Sequence, residues 1–202
     1  MGTRLLPLLG LTLLALGLLR FEATAAEAPP PAFSAVLRQA EALAPLETLI
    51  VARDGEILVE KAFRGHSTRQ PTNIKSASKA IISALVGIAI DKGLLEGTEQ
   101  KIAPLLDDKL PRDPDPRLGE ITIGNLLSMQ AGLGRTSGPN YGRWVASRDW
   151  VRAALARPFA GEPGGGMLYS TGNSHLLSAI LTRQSGRSTL ALARDWLAPV
   201  EG

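Results

Sequence analysis

The segment Lys75-Ser76-Ala77-Ser78-Lys79 leads directly into the apolar run AIISALVGIAI, residues 80–90. This pattern predicts a loop that enters a helix over residues 76–92. Because the helix is apolar nearly all round, we expect it to be buried in the middle of a domain. Gly93 follows the last turn and is a typical residue just after a helix end. The fold is therefore expected to be built around this helix.

Ser76 and Lys79 are three residues apart, so on a helix they share one face. A serine hydroxyl becomes a good nucleophile when a neighbouring base takes its proton, and a desolvated lysine can be that base. Backbone N–H groups at the helix N-terminus favour a developing oxyanion. An N-cap serine followed by a surface lysine has the same spacing without any function. Other parts of the chain must decide between these two interpretations.

Composition excludes several classes of function. The 202 residues are 45% hydrophobic and 20% charged, which is typical of a globular protein. The net charge is only +3 and no Lys/Arg cluster marks a nucleic-acid partner. The chain has no cysteine, which excludes disulfides, thiolate metal sites, a cysteine nucleophile and a lipoprotein anchor. His66 and His175 are the two histidines, and no metal-ligand cluster surrounds them, so neither a metal nor another cofactor is predicted.

The N-terminus has the pattern of a targeting segment. Arg4 precedes an apolar run over residues 5–19, and Ala23-Thr24-Ala25-Ala26 fits a cleavage site after Ala25. We therefore predict a signal peptide over residues 1–25 and an exported protein, periplasmic or secreted, with an uncleaved membrane anchor as the alternative. Membrane contact is expected only through this segment. Residues 26–33, which include Pro29-Pro30-Pro31, are predicted to be a linker before a domain over residues 34–202.

The following elements are mostly helical. A helix is predicted over residues 32–43, then two strands, 48–53 and 56–63, joined by the hairpin signal Asp54-Gly55. Further helices are predicted over residues 98–106, 123–130 with Thr122 as N-cap, 147–157, 174–181 ending at Gly186, and 190–197; residues 107–118 are predicted to be a surface loop. Two strands alone do not make a stable sheet. The pattern indicates an α+β domain whose remaining strands are expected beyond residue 202.

These segments together resemble the serine β-lactamase and penicillin-recognising serine hydrolase family. The motifs are S-x-x-K at Ser76, the segment TIGNLLSMQAGL at 122–133, and Pro163-Gly164 before Tyr169-Ser170. The resemblance covers about residues 34–198 and is closest to the class C-like branch of esterases, D-amino-acid peptidases and 6-aminohexanoate-dimer hydrolases. It implies a β-lactamase/transpeptidase-like α+β fold: an antiparallel sheet with flanking helices and a helical subdomain. Only the N-terminal portion of that fold is expected here.

The resemblance also implies roles for three residues. Ser76 would be the acylated nucleophile, Lys79 its base or proton relay, and Tyr169 a proton shuttle to the leaving group and the deacylating water. The expected reaction is hydrolysis of a small ester, amide or peptide-like substrate through an acyl-enzyme. A β-lactamase or DD-peptidase is the alternative enzyme. A catalytically incomplete fragment, or a binding protein of the same fold, is the alternative outside catalysis.

The sequence departs from the family pattern at two places. Thr171 stands where the family has an asparagine after its tyrosine, and Asn173 lies two residues further on, which argues against β-lactam recognition. The family's third motif, a Lys/His-Thr/Ser-Gly strand that supplies an oxyanion-hole donor, has no match after Tyr169. We therefore expect a truncated chain. Glu162 is a weaker candidate, as a deacylating base like that of class A enzymes, and His175 is expected to pack on a helix.

Overall fold

The computed structural model of the chain describes residues 31–198, in two compact units that divide between Gln70 and Pro71. The predicted signal peptide lies outside the described residues, as does most of the predicted linker, whose last part is a 3₁₀ turn, Pro31–Phe33. None of the helices within residues 31–198 is long and apolar enough to cross a membrane.

The first unit is a helix followed by a β-hairpin. Helix α1 is Ser34–Ala42, strand β1 is Thr48–Arg53 and strand β2 is Glu56–Ala62. The predicted Asp54-Gly55 turn is confirmed, since both residues have positive φ, 54° and 83°, as a type I′ turn requires. The strands pair antiparallel with Val51 opposite Val59, and a bulge follows Val51. This hairpin is the sheet of the described chain.

The second unit is a helical layer packed around one long helix. Its helices are α2 Ser78–Asp91, α3 Ile123–Leu127, α4 Tyr141–Val145, α5 Trp150–Leu155, α6 Thr171–Ser185 and α7 Thr189–Trp196. Helix α6 contacts α2, α3, α5 and α7, so it forms the centre of the unit. The core consists of fully buried aliphatic side chains, among them Leu85, Ile102, Leu106, Ile123, Leu126, Leu176 and Ile180.

The prediction that the helix after Ser76 is buried on all sides is wrong for the described residues. A 3₁₀ turn, Lys75–Ala77, precedes α2, so regular α-helix begins at Ser78. Leu85, Val86 and Ala89 are buried, whereas 38% of Ile81 is exposed. The described packing partners of α2 are mainly α6 and α7, and one buried face is enough to contact both.

The helix termini were predicted better than the short helices. Thr122 caps α3 as predicted, in a capping box with Asn125, and Gly186 ends α6 with φ 67°. The helix predicted over residues 98–106 is displaced, because Lys101 bridges to Thr122 as extended backbone and a 3₁₀ helix runs over Pro104–Lys109. A second 3₁₀ helix, Pro116–Glu120, ends the predicted loop.

Candidate active site

Ser76 is presented by the 3₁₀ turn that precedes α2. The residue before it, Lys75, has a φ of 50°, which non-glycine residues adopt rarely. The Lys75 N–H donates to Asn73 Oδ1 at 2.9 Å, and the Ser78 hydroxyl donates to the Lys75 carbonyl at 2.7 Å. These two hydrogen bonds compensate for the unfavourable backbone. The result is an exposed serine at the entrance of a helix.

The structure brings the three predicted site residues together. Lys79 Nζ donates to Ser76 Oγ at 3.3 Å, as expected for residues one helical turn apart. The Tyr169 hydroxyl donates to the same Ser76 Oγ at 2.7 Å. Lys79 Nζ also lies 5.1 Å from the centroid of the Tyr169 ring. Lys79 is half-buried, so its expected desolvation is only partial.

This arrangement alters the acidity of Tyr169. The hydrogen bond with Ser76 lowers the pKa of the Tyr169 phenol, and the neighbouring Lys79 lowers it further, while partial burial opposes both effects. A serine hydroxyl and an ammonium both stabilise a phenolate by donating to it or by charge. Tyr169 is 41% exposed, so a proton can pass between its hydroxyl and solvent or substrate.

Two buried hydroxyl residues that the sequence analysis missed hold the start of α6. Ser137 Oγ accepts from the Thr171 N–H at 2.8 Å, and Thr136 Oγ1 accepts from the Gly172 N–H at 2.8 Å. The side chain of Ser170, the N-cap residue, makes no cap, because its oxygen accepts from the Thr136 N–H at 3.1 Å. The helix that follows Tyr169 is thus capped by a distant loop. The available signal was the tandem Thr136-Ser137 between the helices predicted over residues 123–130 and 147–157.

Close packing explains the glycine at position 172. A Cβ there would lie 3.1 Å from Thr136 Cγ2 and Oγ1 and 3.3 Å from Ala154 Cβ, tighter than ordinary contacts. The backbone of residue 168 is fixed as well, since its N–H donates to the Met129 carbonyl at 2.9 Å. Tyr169 therefore stands between two anchored segments.

The remaining candidates lie in other environments. The Thr171 hydroxyl, at the position of the family asparagine, contacts Ser137 Oγ at 2.9 Å, and Asn173 is buried in α6. Glu162 pairs with Arg117 at 3.1 Å, and within the described residues it makes no hydrogen bond to Ser76, Lys79 or Tyr169. His66 lies 3.6 Å from Glu47 in the first unit.

His175 packs against two tryptophans, as the helix-packing interpretation predicted. Its ring centroid lies 5.5 Å from that of Trp144 and 5.4 Å from that of Trp150. Burial lowers the pKa of the His175 imidazole, although Asp149 opposes this effect. Across residues 31–198, no group of three or more His, Asp or Glu side chains could hold a metal ion.

The comparison with family models identifies the fold. A model of the beta-lactamase family matches residues 38–200, and the chain therefore belongs to this family. The predicted resemblance and fold class are both confirmed by this match and by the structural neighbours. The family includes serine hydrolases, esterases and penicillin-binding proteins.

Solved structures share the fold. A penicillin-binding protein homologue from Caulobacter crescentus is 25% identical with a TM-score of 0.59, covering 85% of this chain and 49% of its own. A candidate 6-aminohexanoate-dimer hydrolase from Bacillus anthracis is 17% identical with a TM-score of 0.60, covering 74% and 43%. EstCE1, described as a hydrolase with promiscuous acyltransferase activity, is 20% identical with a TM-score of 0.61, covering 81% and 50%.

One relative found by sequence comparison is named for fimbrial assembly and not for hydrolysis. A Dichelobacter nodosus protein named "Probable fimbrial assembly protein FimD, serogroup H1" is 31% identical over 144 residues, which are 68% of this chain and 36% of that protein. The chain thus spans half or less of the length of each relative that is described here.

Proposed function

We propose that this chain carries the acyl-enzyme centre of a serine hydrolase that acts on a small ester or amide. The supporting observation is the convergence on Ser76 Oγ of Lys79 Nζ, at 3.3 Å, and the Tyr169 hydroxyl, at 2.7 Å. A nucleophile with two proton-transfer groups in hydrogen-bond reach is the geometry that acyl transfer requires.

The proposed reaction has two steps. Ser76 Oγ attacks the carbonyl carbon of the substrate, its proton passes to the base, and the bond to the alcohol or amine breaks as the leaving group takes a proton. Water then attacks the acyl-serine in the same way, which releases the carboxylic acid and restores the Ser76 hydroxyl. The net change is one ester or amide plus water giving an acid and an alcohol or amine.

The hydrogen bonds support an assignment of the proton carriers. In the resting arrangement Ser76 Oγ accepts from both neighbours, so attack requires one of them to become an acceptor. We assign Lys79 as the base or proton relay. Tyr169, whose pKa is lowered by Ser76 and Lys79, would carry the proton to the leaving group and later take one from the deacylating water.

Two observations bear on the alternatives. The Thr171 hydroxyl bonds with the Ser137 hydroxyl at 2.9 Å and lacks the paired donor and acceptor of the family asparagine's amide, which disfavours a β-lactamase or DD-peptidase. Residues 170–202 contain no Lys/His-Thr/Ser-Gly motif, so these residues do not themselves supply that oxyanion donor, and a member of the fold that binds ligands without catalysis is the second candidate. Loss of one oxyanion donor typically costs about a hundredfold to a thousandfold in rate.

Covalent labelling tests the proposal. The chain is treated with a small alkyl fluorophosphonate, and its intact mass and peptide map are measured. We expect one label on Ser76, loss of the label in Ser76→Ala, and full labelling in the matched control Ser83→Ala, an exposed serine of α2. Labelling that survives Ser76→Ala would contradict the assignment. A folded wild-type chain that takes no label would favour the incomplete-site candidate.

We further propose that the protein is exported, on the basis of Arg4, the apolar run over residues 5–19 and the small residues at 23–26. Expression of the full chain in a Gram-negative host tests this proposal. We expect the protein in the periplasm or medium with residues 1–25 removed, and an intact N-terminus in the cytoplasm would contradict it.

A further inference from the structure

A cleft of about 210 Å³ opens beside Lys79 in the second unit. Lys79 and Ile82 of α2 form one wall. The other walls come from Trp144 and Val145 of α4, Trp150 of α5 and His175 of α6. We call this space the aromatic cleft. None of its lining residues belongs to the proposed catalytic group except Lys79.

The aromatic rings present apolar surface to the cleft. Trp144 and Trp150 have ring centroids 5.6 Å apart, and each also contacts His175. Both indole N–H groups are already bonded: Trp144 Nε1 donates to the Trp150 carbonyl at 3.0 Å, and Trp150 Nε1 donates to the Val145 carbonyl at 3.0 Å. The two indoles are therefore fixed against each other and have no N–H left for a ligand.

The aliphatic hydroxyls of the lining are also engaged within the described residues. Ser78 donates to the Lys75 carbonyl, Ser174 donates to the Thr171 carbonyl, and the hydroxyls of Thr171 and Ser178 pair with Ser137 and Thr189, all at 2.7–3.0 Å. Burial lowers the pKa of His175, so its imidazole is neutral at pH 7. The remaining polar groups of the lining are the Tyr141 hydroxyl, the neutral His175 imidazole and the Lys79 ammonium, and between them the cleft offers mainly aromatic contact.

We propose that the aromatic cleft is the acyl-group pocket of this site and takes one uncharged apolar group, a single aromatic ring or a short alkyl chain. This inference rests on the proposed function. It places the acyl side here because Lys79 lines the cleft while Tyr169, which protonates the leaving group, does not. Typical pockets for drug-sized ligands measure roughly 300–1,000 Å³, so this one holds only part of a substrate. Lys79 at its edge disfavours a cationic group.

Acylation of Ser76 by two esters with the same leaving group tests the pocket. We expect p-nitrophenyl phenylacetate to acylate the wild type at least about tenfold faster than p-nitrophenyl acetate, because a buried apolar group is worth about that much in rate. Trp150 is 42% exposed, so Trp150→Ala should fold, and it should reduce this ratio about tenfold, whereas Trp150→Phe should largely restore it. Leu190→Ala, 61% exposed on α7 and outside the cleft, should leave both rates unchanged.

A second measurement does not depend on catalysis. Binding of phenylacetamide to Ser76→Ala is followed by tryptophan fluorescence and is expected to disappear when Trp150→Ala is added. If wild type is never acylated but this binding is observed, the proposed function fails and the pocket stands. If Ser76 is acylated but the phenylacetyl-to-acetyl ratio is the same in wild type and Trp150→Ala, the pocket is overturned and the function stands. Benzyl acetate and ethyl acetate, which differ only in the alcohol, are compared in the same way, and a benzyl-to-ethyl ratio that falls in Trp150→Ala while the phenylacetyl-to-acetyl ratio does not would overturn the acyl-side assignment.

Discussion

The phenolic oxygen of Tyr169 lies 2.7 Å from Ser76 Oγ, although the two residues are 93 positions apart in the chain. Ser76 lies two residues before the start of α2, Tyr169 lies two residues before the start of α6, and these two helices contact each other. The packing of two helices therefore fixes the distance between two side chains at their N-terminal ends. Lys79, one turn into α2, completes the group.

The acidity of Tyr169 gives the first prediction. Tyr141 and Tyr169 are the two tyrosines of the chain, so Tyr141→Phe leaves one phenol to titrate. We expect its pKa, read from phenolate absorbance, to lie below the ordinary value of about 10. Ser76→Ala should raise this pKa and Lys79→Met should raise it further, because both neighbours stabilise the phenolate. A pKa that neither variant moves would show that the contacts seen here do not persist in solution.

The second prediction concerns Lys79 as base or relay. Lys79→Ala should slow fluorophosphonate labelling of Ser76 about a hundredfold or more, the usual contribution of a positioned acid–base group. Its side chain is only half-buried, so the variant should remain folded with unchanged circular dichroism. Lys101→Ala, which removes a lysine paired with Glu120, is the matched control and should label normally. Undiminished labelling of Lys79→Ala would remove Lys79 from the mechanism.

Local signals account for the parts of the fold that were predicted correctly. The Asp54-Gly55 turn and the Thr122 N-cap are determined by neighbouring residues, and both formed as expected. Helix α4 was missed because its five residues include Gly142 and gain their order from tertiary contacts of buried Trp144. The burial of α2 was overestimated because an apolar sequence does not indicate which elements cover it.

The candidate site also combines features that local sequence patterns predict with features that only tertiary packing creates. The spacing of Ser76 and Lys79 predicts their contact directly. Tyr169 was found only through the resemblance to a family, since no local pattern connects it with Ser76. The hydroxyls that cap α6 come from residues 34 and 36 positions earlier, in a segment with no regular pattern. Such long-range caps follow from tertiary packing and leave little trace in the sequence.

Those caps give the third prediction. Thr136 is 2% exposed, and its hydroxyl accepts from the Gly172 N–H at 2.8 Å and bonds with the Ser170 hydroxyl at 3.3 Å. Thr136→Val removes both bonds and should lower the free energy of unfolding by about 1–3 kcal/mol. It should also move the pKa of Tyr169 toward its ordinary value, because the start of α6 shifts. Thr136→Ser keeps the hydroxyl and should restore the Tyr169 titration. A loss of stability without any change in this titration would make the role structural only.

The fourth prediction follows from the buried imidazole of His175. Its pKa is lowered in the folded protein, so on acidification the unfolded chain binds the proton first, near the ordinary pKa of about 6.5. The free energy of unfolding should therefore fall as the pH is lowered from about 7.5 to 5.5, since stability rises with pH wherever the unfolded state binds more protons. The charge of Asp149 favours the imidazolium and so reduces this dependence without cancelling it.

Two variants isolate this effect in urea unfolding at several pH values. His175→Phe retains a ring against Trp144 and Trp150 and should reduce the pH dependence, because no group is left there to protonate. His66→Gln, in the first unit, should leave the dependence contributed by His175 in place. Lys109 donates to Asp149 and lowers the pKa of the Asp149 carboxyl. Asp149 therefore takes up its proton only at a pH below the range of the measurement. If the free energy of unfolding depends on pH with the same slope in wild type and in His175→Phe, burial does not keep the His175 imidazole neutral.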